Sequence, residues 1–231
     1  DDEFTRNALY RNFFNAYSHE WQHGNSRWDI IDTVRLTRAL RPDGINWPEQ
    51  KGRPSIRLEL LTKANDIKHE AAHDAMSDVY ATIAVAKLIK DKQPRLYDYI
   101  YKLRKKTEVS KLINLRTHEA ILHVSSRYSA ERGAIAMVMP LCQHPTNKNG
   151  FIVYDLNVHP EQFLEADAEE MAARLYTPAA ELPEGVQRIP LKQIHINKCP
   201  VLVPLKTMDE SSAQRLNIDV DECQAHRDII L

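Results

Sequence analysis

Cysteine is scarce in this sequence: three in 231 residues, Cys142, Cys199 and Cys223, with no C-x-x-C pair among them. An odd, scattered set excludes a disulfide framework and points to a reducing compartment. An excess of one charge is missing too. Thirty-one Lys and Arg face 32 Asp and Glu, so any nucleic-acid contact has to come from a local patch. No apolar run reaches membrane-spanning length and no stretch reads as a signal peptide. The expectation is a soluble, cytoplasmic chain with no membrane partner. A Gly-rich phosphate loop, a nucleophile elbow, internal repeats and low-complexity tracts are all absent. The first two absences remove the usual signatures of phosphate-loop nucleotide binding and serine-type hydrolysis.

What is present is apolar content sufficient for one large or two small domains. Residues 1–17 read as a helix with Phe4, Ala8, Leu9 and Phe13 on one face, and 18–27 as a polar loop. The stretch from Trp28 is a short strand or the start of a helix through Leu40, and 41–48 is a Pro- and Gly-containing loop. Ser55 is expected to cap a helix at 56–64, and residues 94–113 read as helix with a basic run from Lys102 to Lys111. Such a run is most simply a solvated face. After about residue 117 the period changes. Short strands are expected at 121–124, 134–138, 151–154, 193–196 and 201–203, with a turn at 147–150 and a helical insert at 160–175. Residues 208–230 return to helix. The chain opens directly into a helical pattern and closes on Ile229-Ile230-Leu231, so it reads as an internal stretch of a longer protein.

One stretch organises the rest, from Ala71 to Thr82. Asp74 is suited to cap the helix that follows, its carboxylate accepting free N–H groups of the first turn. Met76, Val79, Ile83 and Ala86 recur at helical spacing, giving an amphipathic helix over 75–90. Asp78 falls on a flank shared with Thr82, Val85 and Ile89. A carboxylate at the edge of an apolar stripe costs free energy unless it is paired or binds a cation. His73 precedes the helix in a loop, which suits a base, while Asp78 is held by packing, which suits a metal ligand. The bland alternative is a capped surface helix with a solvated Asp.

His19-Glu20-Trp21-Gln22-His23 is a literal H-E-x-x-H, in which a helix would set His19 and His23 on one face for zinc. Gly24-Asn25-Ser26 follows at once and Asp29 stands where an extended motif needs a third His, so a loop is the better reading. Tyr17, Trp21 and Trp28, with Arg6 and Arg35 near in sequence, offer flat surfaces on which single-stranded bases could stack, the alternative being core packing. The spacing of His144, His195 and Cys199 matches no structural zinc pattern.

A resemblance emerges from these residues together. His73-x4-Asp78 in an Ala-rich helix, after Arg57-Leu58-Glu59-Leu60-Leu61-Thr62-Lys63-Ala64-Asn65, resembles the third motif of the DEDDh 3′→5′ exonucleases. Asn25-Ser26-Arg27-Trp28-Asp29, Gly44-Ile45-Asn46-Trp47-Pro48 and His195-Ile196-Asn197-Lys198-Cys199-Pro200 narrow it to the bacterial exodeoxyribonuclease I family, over essentially the whole chain. The resemblance implies an α/β fold. Residues 1–113 would be the C-terminal part of an RNase H-like exonuclease domain. A small, mainly β, barrel-like domain with a helical insert would occupy 114–206, and a helical region would start at 207–231. It implies a monomer that degrades single-stranded DNA from its 3′ end to 5′-mononucleotides in repair and recombination. Two Mg2+ ions, replaceable by Mn2+, would be held by four acidic residues.

Residue by residue, the resemblance makes His73 the general base and Asp78 the last metal-binding aspartate. Asp1 falls where the second-motif aspartate stands. The first motif, a D-x-E carried on the domain's first strand, has no counterpart in these 231 residues, so the expectation is that the chain as given is inactive. The chemistry suits the donors: two cations roughly 4 Å apart stabilise the attacking and leaving oxygens, and hard Mg2+ takes carboxylate oxygen. Arg57 is suited to clamp phosphate, its alternative being an ion pair with Glu59. Further DNA contacts are expected from Arg6, Tyr17, Trp21 and Arg35, and from Asn149, Lys192, Asn197 and Lys198. The family also binds the acidic C-terminal tail of the single-stranded-DNA-binding protein, for which Arg41 and Tyr99 are the docking candidates. Two other readings stand beside this one: a non-catalytic single-strand-binding and partner-docking module, and a zinc hydrolase using His19 and His23.

Overall fold

The structure, a computed structural model, describes residues 2–69, 74–178 and 181–231. Helices dominate its first half: α1 (Asp2–Arg11), α2 (Ile31–Leu40), α3 (Leu58–Ala64), α4 (Ala75–Lys92), α5 (Pro94–Lys102) and α6 (Lys106–Ser110). A miniature hairpin of β1 (Glu49–Gln50) and β2 (Arg53–Pro54) precedes α3. Its central Lys51 and Gly52 both have positive φ, 54° and 71°, the conformation that a two-residue loop needs to match strand twist.

The second half is built on one antiparallel sheet. Strands β3 (Ile121–Val124), β4 (Ile135–Gln143), β5 (Gly150–Asp155), β6 (Leu191–His195) and β7 (Leu202–Pro204) stand in the order β6-β5-β4-β3-β7. Helices α7 (Glu161–Leu164) and α8 (Ala168–Tyr176) lie between β5 and β6 in sequence, and α9 (Glu210–Arg215) and α10 (Val220–Ile230) follow β7. β3 and the first six residues of β4 are buried at every position. Their apolar runs, broken only by the buried His123 of β3, are those of strands covered on both faces, with α2 against β3 and β4, and α10 against β4.

Helix α2 is the wall between two apolar cores. Leu36, Ala39 and Leu40 join the large core of the sheet, α5, Leu216 and Cys223. Val34 turns to a smaller core with Ile45, Leu61 of α3, and Val85 and Ile89 of α4. Because one helix contributes side chains to both cores, α2 fixes how the helical half meets the sheet.

Several boundaries differ from the sequence reading. α1 stops at Arg11 and Phe13 takes a positive φ of 61°, so the expected single face is broken: Phe4 is 83% and Phe13 fully exposed. Ser55 does not cap α3, since the cap is Arg57 and Ser55 Oγ accepts the Arg57 N–H at 3.4 Å. In α4 the buried residues are Ala81, Val85 and Ile89, whereas Met76, Val79 and Ile83 are exposed. The face that packs is therefore the flank below Asp78, not the stripe of largest side chains. The 94–113 and 208–230 segments each split in two, the second at Asn217 with φ 51°. Among the described residues no helix is long and apolar enough to cross a membrane.

Candidate nucleic-acid interface and acidic centre

An open cleft of about 950 Å³ separates the N-terminal segment, the α5–α6 junction and one end of the sheet. Arg6, Trp21 and Arg27 reach it from the first segment and Arg104, Lys105 and Lys106 from the junction. Asn149, Asn197, Lys198 and Cys199 come from the β4–β5 turn and the loop after β6. Six basic and three acidic side chains line it, which is the local positive patch that a chain of balanced charge needs to hold a polyanion.

Each wall is fixed by contacts that the sequence does not advertise. The Arg104 guanidinium lies over the Tyr101 ring at 3.6 Å, with Nη1 donating to Ser26 Oγ at 3.0 Å. Tyr101 stacks on Tyr97, and Trp28 meets both rings edge-on at 5.5 and 5.6 Å. Trp28 is thus a packing residue of the wall and not an open stacking surface. Cys199, at a positive φ of 49°, donates its Sγ–H to the Arg27 carbonyl at 3.2 Å and ties the loop after β6 to the N-terminal segment. Arg6 binds Glu20 through two nitrogens, at 2.8 and 3.0 Å, and its guanidinium lies 4.9 Å from the Tyr17 ring centre. Trp21 is 63% exposed on the rim, an amphipathic plate of the kind on which bases stack. Asp32, on the floor, pairs with Arg35. Burial raises its carboxyl above the ordinary value, against the pull of Arg35 and Lys192.

The acidic centre lies on α4. Asp74 caps the helix by accepting the Ser77 N–H at 3.0 Å, as its position in sequence predicts. One turn on, Asp78 Oδ1 is 2.8 Å from Nε2 of His69, whose own side chain is only 4% exposed. His69 Nδ1 faces Thr62 Oγ1 of α3 at 3.3 Å. A buried imidazole thus aims the carboxylate, the arrangement in which an outer hydrogen bond fixes a ligand's orientation.

Comparison with known proteins decides the family. The family model of the Exonuclease I SH3-like domain matches residues 104–231, more than half of the chain. The chain belongs to the exonuclease I family. It is 52% identical to exodeoxyribonuclease I of Haemophilus influenzae over 225 residues, covering 96% of this chain and 48% of that protein. Exonuclease I of Escherichia coli in complex with a dA16 oligonucleotide superposes with a TM-score of 0.95 at 48% identity, covering all of this chain and 49% of that one. An ExoI/SSB-Ct complex superposes at 0.91 and 47%, again over all of this chain and 49% of that one. The E. coli ExoI–ssDNA complex is known in zinc-bound and metal-free forms. The chain spans about half the length of the relatives it matches.

Against the expectations of an exonuclease I, the cleft gathers Arg6, Trp21, Asn149, Asn197 and Lys198 from positions up to 192 residues apart. Tyr17 stands beside it under Arg6, and Arg35 and Lys192 act on Asp32 of its floor. Burial lowers the Lys192 ammonium from its ordinary value, Arg127 adding to the effect. Arg57 is not in the cleft and is engaged by Glu59. Tyr99 is half-buried, its hydroxyl donating to the Leu202 carbonyl at 3.2 Å and its pKa pushed up to about 12 by burial. Arg41 donates to the Leu40 carbonyl. Asp1 and His73 lie outside the described residues. Sequence reasoning missed Arg27, Arg104, Lys105 and Lys106. The signal was there, in a basic run read as solvated and in an arginine beside Trp28.

The H-E-x-x-H stretch is not a zinc helix. It forms two single 3-10 turns, Ser18–Glu20 and Gln22–Gly24, with His23 at a positive φ of 56° and Glu20 held by Arg6. His19 and His23 therefore do not share a helical face. Among the described residues no group of three or more His, Cys, Asp or Glu is placed to hold a metal. A hard divalent cation suits the donor that is present, the oriented carboxylate of Asp78.

Proposed function

We propose that this chain is part of a Mg2+-dependent 3′→5′ exonuclease that degrades single-stranded DNA to mononucleotides, and that it carries most of the track along which the strand runs. The observation that carries this reading is the cleft, which joins an exposed tryptophan, three arginines and three lysines from distant parts of the chain. Bases are expected to stack on Trp21 and Tyr17 while Arg27, Arg104, Lys105, Lys106 and Lys198 meet phosphates. Asn149 and Asn197 supply neutral donors and acceptors beside them. The 1–113 region is read as the C-terminal part of an RNase H-like nuclease domain.

In the chemistry, Asp78 would hold a metal ion and His69 would keep its carboxylate aimed. The metal, when bound, supplies charge stabilisation at the scissile phosphate. His73 is assigned the proton-accepting role, and Arg57 the phosphate nearest the centre, released from Glu59 when the strand arrives. The second-motif carboxylate is assigned to Asp1. An acidic partner tail, such as that in the ExoI/SSB-Ct complex, is assigned to Arg41, which keeps further guanidinium donors, with the Tyr99 ring as an apolar neighbour.

The test uses 5′-labelled single-stranded DNA with Mg2+ and the chain joined to the upstream segment of a relative that carries D-x-E. Stepwise shortening from the 3′ end, abolished by chelator and by Asp78→Ala, is the expected result. Shortening that survives Asp78→Ala overturns the site assignment. Binding without shortening supports the rival reading of a non-catalytic single-strand-binding module.

A further inference from the structure

The β4–β5 turn presents Asn149 to the cleft, and two histidines stand behind it. The N–H groups of Thr146 and Asn147 both point at His144 Nδ1, at 3.3 and 3.2 Å. A backbone N–H can only donate, so Nδ1 of His144 must offer a lone pair. Asn147 carries the logic to the second ring. Its Oδ1 accepts the Asn149 N–H at 3.0 Å, which fixes which end of the amide is oxygen. The other end, Nδ2, therefore donates to His195 Nδ1 at 3.3 Å. Both imidazoles are thus used as acceptors, which only the neutral ring permits.

We infer that His144 and His195 are positioning residues for the strand contact of Asn149: as neutral rings they hold Asn147, Asn147 holds Asn149, and protonation of either ring releases the turn. The inference rests on the reading of the cleft as a single-strand track. A protonated Nδ1 is a donor facing another donor, so each hydrogen bond becomes a repulsion. Three backbone anchors remain, His144 N–H to the Gly150 carbonyl and Ile196 N–H to the Asn149 carbonyl at 2.9 Å and Gly150 N–H to the Asn147 carbonyl at 2.8 Å, and none of them involves the Asn147 side chain through which the Asn149 N–H is held. The charged and titratable groups acting on His195 are Lys198, Lys192 and His144, none of them a carboxylate. Burial first, and these neighbours after it, lower its pKa, so the neutral form persists below the ordinary imidazole range. Lys148 stands in the turn itself, its carbonyl held by Gln143 Nε2 at 3.0 Å.

The consequence runs against the usual trend for basic clefts, which hold DNA more tightly as pH falls. Here acidification takes Asn149 away from the strand. The test has two arms on the full chain. Imidazole and amide NMR is recorded from about pH 8 to about pH 5, across the range in which histidine titrates. Both rings should start as the Nε2–H tautomer, and the Asn149 amide should follow their titration. Fluorescence anisotropy with labelled oligo-dT at constant ionic strength is the second arm. His144→Asn and His195→Asn replace Nδ1 by a carbonyl oxygen that accepts but does not titrate. Over this range the wild type should lose roughly three- to tenfold in affinity relative to the double variant, the worth of about one hydrogen bond. Asn147→Ala should bind at the low-pH level throughout. An Asn149 amide indifferent to both titrations overturns the inference, as does wild-type binding that tightens with acid as much as in the double variant. Absence of binding at every pH, with the NMR coupling intact, overturns the reading of the cleft and leaves the latch standing.

Discussion

At the scale of single residues, two enclosed histidine side chains do different jobs, and their partners decide which. His69, nearly enclosed, gives one nitrogen to Asp78 and turns the other to Thr62. His123 of β3 is 4% exposed and its Nδ1 meets the Tyr128 hydroxyl at 2.8 Å. Burial, with Lys192 adding to it, lowers the His123 pKa to about 3, so in the folded protein the ring stays neutral. The unfolded chain takes up a proton near the ordinary value and the folded chain does not. Stability from this ring is therefore complete above about pH 6.5 and declines below it by at most about 1.4 kcal/mol per pH unit. Urea unfolding near pH 7 and near pH 5 should show a smaller decline for His123→Asn, whose side-chain oxygen accepts from Tyr128 without titrating. Sequence did not show the partner that Asp78 has in the structure. The His73-x4-Asp78 spacing is visible because it is local and motif-like, but His73 lies outside the described residues. His69 was not legible, because a lone histidine nine residues before an aspartate is common, and only the packing of α3 on α4 brings them together.

At the scale of elements, the helices and strands were legible wherever period and punctuation agreed. Asp74 and Pro94 mark the starts of α4 and α5, and the five strands stand where short apolar runs alternate with turns. The misreadings share one cause. Periodicity finds a face but not what it faces, so in α4 the stripe of Met76, Val79 and Ile83 looked inward while the flank of Ala81, Val85 and Ile89 is the one packed. Which flank is covered is decided by where α3 and α5 lie against α4, and that is not written in the period. The cap of α4 is open to measurement. Asp74→Ala removes the acceptor for the Ser77 N–H at the end of a half-exposed helix, and should cost about 1 kcal/mol in chemical denaturation. The same substitution at Asp91, exposed near the other end of the helix and capping nothing, should cost much less.

At the scale of the whole molecule, the cleft was legible as a set of residue types but not as a place. Arg6, Trp21, Asn149, Asn197 and Lys198 were singled out for their chemistry, and nothing in their spacing says that they converge. That depends on α2 joining the two cores and on Arg104 reaching Ser26. Balanced overall charge with a concentrated basic patch has a measurable signature, a steep salt dependence of single-strand binding. Removing one phosphate-binding cation should flatten the plot of log affinity against log salt by about 0.7. Lys198→Ala and Lys106→Ala should each do so across sequences. Lys111→Ala, outside the cleft and paired with Glu108 at 2.8 Å, should leave the slope unchanged.

The bond from Cys199 to the Arg27 carbonyl closes a loop of 172 residues, and this sets an order in time. Local helices and the β4–β5 hairpin form their contacts between near neighbours, whereas the cleft needs the first segment of the chain to find the loop after β6. Closures over such separations come late, because their entropic cost falls due before their contacts return it. Most of the helices, and most of the sheet, can therefore form before the cleft is closed. On the proposed reading of the cleft, single-strand binding is then among the last properties to appear as the chain folds.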